Sequence, residues 1–158
     1  MTEPRFLLDG MLGSLARWLR ILGYDAHYVR DLPDRDLLFL LTGNERVLLT
    51  RDRQLAARAG ERGTYLGETG LDAQLAFVVS RFHLELDRSP SRCTACNGRL
   101  RPVDRGSVQR EVEEGTWNGH REFWRCEDCG KVYWQGAHWK NIRKRMEALS
   151  TGRGSTPR

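Results

Sequence analysis

Four cysteines stand in two pairs of the form C-x-x-C: Cys93 with Cys96, and Cys126 with Cys129. A tight knuckle of that spacing offers two sulfurs to one ion. Two knuckles complete a tetrahedron of thiolates, the closed geometry of structural zinc. Each pair is followed closely by a glycine, Gly98 or Gly130, as a turn requires. In a reducing compartment clustered thiols read as metal ligands rather than disulfides. The competing reading, two redox dithiols, is weakened because the same motif recurs within one short region. A site of four cysteines keeps no open position, so its expected work is to fold a segment too small to hold a core by itself. His138 lies nearby in YWQGAHWK. The sulfurs already fill the tetrahedron, so packing with Trp134 and Trp139, or contact with RNA, is the expectation for it.

A second set of chemistry-bearing residues is acidic. Asp9 follows RFLL, Asp31, Asp34 and Asp36 follow AHYVR, Asp52 follows RVLLTR, and Glu68 and Asp72 follow TYL. Each of Asp9, Asp34, Asp52 and Asp72 precedes a helical pattern, where aspartate commonly caps free backbone N–H groups. Several carboxylates at one edge also repel one another unless a cation offsets them. Oxygen-rich sites select hard ions such as Mg²⁺ or Mn²⁺. Such ions activate water and stabilise charge on a phosphodiester during cleavage. One carboxylate can serve as both cap and ligand.

These residues need elements to position them. RFLL (5–8), AHYVR (26–30), RVLLT (46–50) and residues 64–66 read as short strands. Between and after them, helical spacing predicts helices over 10–22, from Pro33 and Asp34 through Leu41, over 53–59, and over 71–82. Strict alternation with short connections predicts a parallel sheet with helices on its faces. The near-continuous apolar runs FLL and VLL suit strands buried on both sides. In an open parallel sheet, ligands bind beyond the C-terminal ends of the strands, which is where the acids lie.

The composition changes after the polar stretch DRSPSR. The expected organisation is residues 1–88 as the sheet domain, 89–150 as a zinc ribbon with a basic C-terminal segment, and 151–158 as a disordered tail. In the ribbon, VQREVEEGTW and REFWRC are the expected strands. Residues 1–88 hold 12 basic and 13 acidic side chains, whereas 89–158 hold 14 and 8. A basic module beside a near-neutral one suggests a polyanionic partner. KNIRKR (140–145), beside tryptophans, joins cations to stacking surfaces and suits nucleic acid. No apolar run reaches the ~18 residues of a membrane helix, and MTEPRFLLDG lacks the apolar block of a signal peptide. A cytoplasmic protein with no membrane partner is expected.

The stretch FLLDGMLGSLARWLRILGYDAHYV, then DRDLLFLL, then RVLLTRDRQL, resembles the C-terminal RNase domain named after the Mut-seven exonucleases. FWRCEDCGKVYWQGAHW is similar to the ribbon that follows it in that family. The resemblance covers roughly residues 5–145 and implies an α/β, PIN-like parallel sheet flanked by helices and followed by a small zinc ribbon. It also implies metal-dependent cleavage of RNA. Under it, Asp9 matches the aspartate after the first strand, and Asp34 and Asp36 match the acidic pair opening the second helix, with Arg35 where an acid is common. Asp52 matches the aspartate of the T-R-D motif, and Asp72 is a looser match. Asp9, Asp36 and Asp52 are the expected Mg²⁺ or Mn²⁺ ligands, with Asp34 next. Thr50 is placed to bond a ligand water. Arg17 and Arg51 are candidates to hold RNA phosphates, since guanidinium matches phosphate geometry, and the basic segment near Lys140 is a candidate to grip the RNA backbone.

Two other functions compete. A non-catalytic zinc-ribbon RNA-binding or adaptor protein would use the acidic edge only for helix caps. An aspartyl-phosphate enzyme would want a second aspartate two residues after the first, where Met11 stands.

Overall fold

The structure, a computed structural model, describes residues 3–86 and 88–152; the side chains of residues 137–140, 143 and 150–152 lie outside that description. The chain begins with β1 (Phe6–Leu8), α1 (Gly13–Ile21), β2 (Ala26–Tyr28), α2 (Asp34–Thr42), β3 (Val47–Thr50), α3 (Arg53–Ala59), β4 (Gly63–Tyr65) and α4 (Leu71–Arg81). The four strands make one parallel sheet in the order β2-β1-β3-β4, with Phe6 level with Ala26 and Val47. This is the α/β arrangement expected from the alternation.

Strand alternation sorts the core into two layers. Phe6, Leu8 and Leu49 face α1 and α4, where they pack with Leu15, Leu19, Leu75 and Val78. Leu7 and Leu48 face the other way, onto Leu37 and Leu41 of α2 and Leu55 of α3. Full burial of each such leucine contributes roughly 1.5–3 kcal/mol. Arg62 stitches the far end of α2, donating to the carbonyls of Leu41, Asn44 and Arg46. It thereby satisfies acceptors that a helix C-terminus leaves open.

The ribbon holds β5 (Leu100–Val103), α5 (Glu114–Gly119), β6 (Phe123–Cys126) and β7 (Val132–Tyr133), an antiparallel sheet in the order β5-β6-β7. REFWRC contains β6, as expected. The segment VQREVEEGTW is not a strand: it ends a 3₁₀ turn at Arg105–Val108 and then enters α5. The paired strand is instead LRPV, whose Pro102 sits opposite Trp124. Proline lacks the N–H a ladder needs, and it is tolerated here because β5 lies at the sheet edge.

The chain then returns as α6 (Ala137–Gly152). Its Ile142 and Met146 are buried in the same core layer as α1 and α4, with Leu149 packed alongside. Arg145 lies 4.6 Å above the Trp18 ring and donates from Nε to Asp72 at 2.6 Å. KNIRKR therefore carries both a core anchor and cations. His138 and Lys140 fall in α6, but their side chains are outside the described residues. Ahead of the first knuckle, the Ser91 hydroxyl bonds the Gly23 carbonyl at 3.0 Å. A β-carbon at Gly23 would meet that hydroxyl at 2.6 Å, and φ there is +94°, so glycine alone fits.

Candidate functional site

The strand order puts a switch point between β1 and β3. The connection through α1 leads from β1 to β2, and the one through α3 leads from β3 to β4, on opposite faces of the sheet. Such a crevice, beyond the carboxyl ends of the strands, is where open α/β sheets take ligands. Asp9 and Asp52 stand on its two sides, and buried Thr50 ties them together. The Thr50 hydroxyl donates to Asp9 Oδ2 at 2.5 Å and accepts from the Asp52 backbone N–H at 3.0 Å. Asp9 Oδ1 also accepts from the Met11 N–H at 3.3 Å. Asp52 caps α3, and both cap bonds, from the Gln54 and Leu55 N–H groups, land on the same oxygen, Oδ1.

Asp34 and Asp36 lie in the first turn of α2, which follows β2 at the same edge. Asp34 is exposed, and Asp36 is half-exposed with its carboxylate 3.9 Å from Arg35 Nε. Neither is bonded to Asp9 or Asp52. After β4 comes Glu68, whose Oε2 is buried without a hydrogen-bond partner among the described residues. A buried carboxylate oxygen left so costs free energy unless something else contacts it. The oxygens at this edge are of the type a hard cation takes, but among the described residues no three of these carboxylates lie close enough together to share one ion. Asp72 is committed elsewhere, to Arg145 of α6. Arg51 is half-buried at the strand end, while Arg17, on α1, lines a cavity facing the ribbon.

Among the described residues, the four cysteines are the one group of three or more His, Cys, Asp or Glu side chains gathered closely enough to hold a metal ion; their sulfurs lie within 4.8 Å of one another. The Cys93 and Cys129 sulfurs are 3.7 Å apart, and those of Cys96 and Cys126 are 3.4 Å apart. The Asp128 and Cys129 N–H groups point at Cys126 Sγ, each at 3.4 Å. A β-carbon at Gly98 would stand 2.7 Å from that sulfur, so the first knuckle needs glycine there. Burial pushes the Cys93 thiol up, but the Tyr133 hydroxyl, 2.8 Å from its sulfur, and the Cys96 and Ala95 N–H groups outweigh it and hold it at about 7. Burial and the neighbouring sulfurs push Cys96 up to about 12. Four thiols this close ionise together only around a shared cation, and an all-sulfur tetrahedron is the donor set zinc takes.

The ribbon is fastened to the sheet through Asp25. This carboxylate, 11% exposed, accepts from Arg46 at 2.6 Å and from Asn97 Nδ2 at 2.7 Å, with Arg92 at 3.7 Å. Asn97 belongs to the first knuckle, has φ of +69°, and also accepts from the Ala26 N–H at 3.0 Å. Arg20 bridges the same seam, donating to the carbonyls of Ala26 and Thr94.

The family model described as the Mut7-C RNAse domain matches residues 4–146. The chain belongs to that family. Among curated proteins and among solved structures, none matches it significantly. The span matched as a Mut7-C RNAse domain contains Asp9, Asp34, Asp36 and Asp52, all four cysteines, and α6 as far as Met146. The resemblance read from FLLDGMLGSLARWLR and the knuckles thus identified the family correctly. Sequence reasoning did not single out Tyr133 or Asp25. Glu68 was visible as an acid after a strand, but its buried oxygen follows from packing. Tyr133 carried a signal in its place four residues beyond Cys129.

Proposed function

We propose that this Mut7-C RNAse domain is a metal-dependent ribonuclease that hydrolyses RNA phosphodiester bonds at the crevice between β1 and β3. The observation that carries this reading is the Asp9–Thr50–Asp52 relay at the switch point of the parallel sheet. Asp9, Asp36 and Asp52 would hold one or two Mg²⁺ or Mn²⁺ ions, with Asp34 beside them and Glu68 as a further oxygen donor. When bound, such an ion supplies a Lewis acid and an activated water at the phosphodiester. Thr50 holds Asp9 in one orientation. Asp52 uses Oδ1 to fix the start of α3, and its Oδ2 would be the oxygen offered to the ion. Arg51 at the strand end, Arg17 on α1 and Lys140 in α6 hold phosphates of the RNA. The four cysteines bind structural zinc and take no part in cleavage. A quartet of thiols fits a reducing compartment and hence the cytoplasm, and no helix among the described residues is long and apolar enough to cross a membrane.

The test is cleavage of mixed RNA substrates by zinc-loaded protein in Mg²⁺, in Mn²⁺ and with neither, with Asp9→Asn as control. Cutting that needs the added ion and vanishes in Asp9→Asn supports the reading. Metallated protein that never cuts refutes it.

A second reading, a non-catalytic zinc-ribbon RNA-binding or adaptor protein, draws support from the cap geometry of Asp52 and from the acids' not being gathered as the cysteines are. RNA binding at full strength in Asp9→Asn and Asp52→Asn, with no version cutting, would favour it.

A further inference from the structure

A cavity of about 320 Å³ opens where α1, the ribbon and α6 meet. Its walls include Arg17 of α1, Arg92 before the first knuckle, Lys131 of the second knuckle, Tyr133, Trp134, and Ile142 of α6. Among the described residues lining it there is no carboxylate. Arg17 and Lys131 are exposed. Arg92 is already paired with Asp25, 3.7 Å away, whereas Lys131 stands 5.3 Å from the Tyr133 ring centre. Trp134 packs at a tilt against Phe123, with centroids 6.4 Å apart, and keeps 38% of its surface exposed. Gly136 leaves the indole edge clear: a β-carbon there would stand 3.1 Å from the indole nitrogen.

This combination selects its ligand. Arg17 and Lys131, exposed beside a lining without carboxylates among the described residues, want an anion, and an exposed indole next to them wants a flat π-face. A bare phosphate would use the cations and waste the ring. An apolar ligand would leave the cations unmatched. The volume sits at the small end of ligand pockets, which run from roughly 300 to 1,000 Å³, so it takes one nucleotide and no duplex. Arg17 is four residues, about 6 Å of helix rise, beyond Gly13. Gly13 in turn packs on Tyr28, whose hydroxyl donates to the Gly10 carbonyl at 2.7 Å beside Asp9.

We infer that the cavity holds one unpaired nucleotide of a single-stranded RNA, its base against Trp134 and its phosphate between Arg17 and Lys131. The inference rests on the reading of RNA as substrate and adds that the strand must be single and its base unstacked from its neighbours.

The experiment uses the full zinc-loaded chain without added Mg²⁺ or Mn²⁺. It measures affinity for a labelled single-stranded RNA 12-mer, for the same sequence as a duplex, and for inorganic polyphosphate. The single strand should bind more tightly than the duplex. Trp134→Leu and Arg17→Glu should each weaken it about tenfold or more, and Trp134→Phe should retain most of the affinity. Polyphosphate should weaken with Arg17→Glu alone. Unchanged single-strand affinity in Arg17→Glu, or in Trp134→Leu that still holds zinc, overturns the inference. So does an equal loss of polyphosphate binding in Trp134→Leu. If Trp134→Leu loses zinc, exposed Arg17 decides alone. Cleavage in Mn²⁺, run on the same samples, separates the two readings. Binding through the cavity without any cutting removes the ribonuclease and keeps the cavity. Cutting by a protein whose variants bind like the wild type does the reverse.

Discussion

Thr50 donates its hydroxyl to Asp9 across the β1–β3 boundary at 2.5 Å, and the same oxygen receives the Asp52 N–H. One buried side chain thus holds the carboxylate of Asp9 and the backbone of Asp52, 43 residues apart in the chain. Thr50→Val keeps the shape and removes the hydroxyl. Leaving the Asp52 N–H without its partner should cost about 1–3 kcal/mol. Cleavage should fall about tenfold or more, because Asp9 loses its fixed orientation. Thr50→Ser should recover most of the rate. Urea denaturation and single-turnover cleavage on the three proteins check this; a Val variant that cuts at the wild-type rate removes Thr50 from the site.

Asp52 has two separable duties. Asparagine caps a helix about as well as aspartate, whereas alanine costs about 1 kcal/mol. Asp52→Asn should keep the melting temperature and lose cleavage. Asp52→Ala should lose both. If Asp52→Asn cuts normally while Asp52→Ala only melts earlier, the residue is a cap and nothing more.

The sheet domain was legible because its sequence signals agree with one another. FLL and VLL are apolar without interruption, Gly23 stops α1, and an aspartate stands before α3, so every strand and helix there was placed within a few residues. The ribbon was harder. LRPV carries an arginine and a proline, and its strand is created by pairing with FWRC rather than by its own propensity. VQREVEEGTW alternates well enough for a strand but has no partner to pair with. The cysteine site was readable from spacing, since its ligands are local pairs. The acidic edge was readable only as a list of positions. The Thr50 relay and the buried oxygen of Glu68 depend on how the strands pack.

Asp25 should make stability depend on acid. Burial works against its charge, yet the Arg46 and Asn97 hydrogen bonds and nearby Arg92 outweigh burial and hold its carboxyl below the ordinary value. A carboxyl with a depressed folded-state value contributes stability fully above the unfolded value of ~3.9, and that contribution disappears as pH falls through the folded one. Asp25→Asn should therefore melt earlier than wild type at pH 7, with the gap closing as the pH drops below about 4. Melting curves from pH 7 to 3 check it; a gap that stays constant shows that the carboxylate charge is not what matters.

Zinc removal should act on the ribbon first. Purified chain should contain one zinc per molecule by elemental analysis. Chelation, or Cys96→Ser, should unfold β5–β7 and change the fluorescence of Trp124 and Trp134, which lie in or beside them. Added Mg²⁺ should not reverse the change, because hard cations do not take thiolate sites. A ribbon that keeps its spectrum without metal would show that the sulfurs do not hold it.

The last helix offers a contrast between two of its contacts. Met146→Ala should cost about 2–5 kcal/mol, as deletion of a buried side chain does. Asp72→Asn removes the partner of Arg145, but both groups are substantially exposed, so the loss should stay under about 1 kcal/mol with cleavage unchanged. Thermal melts and cleavage assays on the pair check this. Lost cleavage in well-folded Asp72→Asn would return that residue to the acidic site.

Because Ile142 and Met146 complete a layer that also contains Phe6 and Leu8, a nascent chain emerging from the ribosome holds an unfinished interior until well after the metal-binding segment has been made. The knuckles must then form while that interior is still open on one side. If the knuckles take zinc as proposed, metal supply and closure of the sheet's interior fall in the same stretch of synthesis.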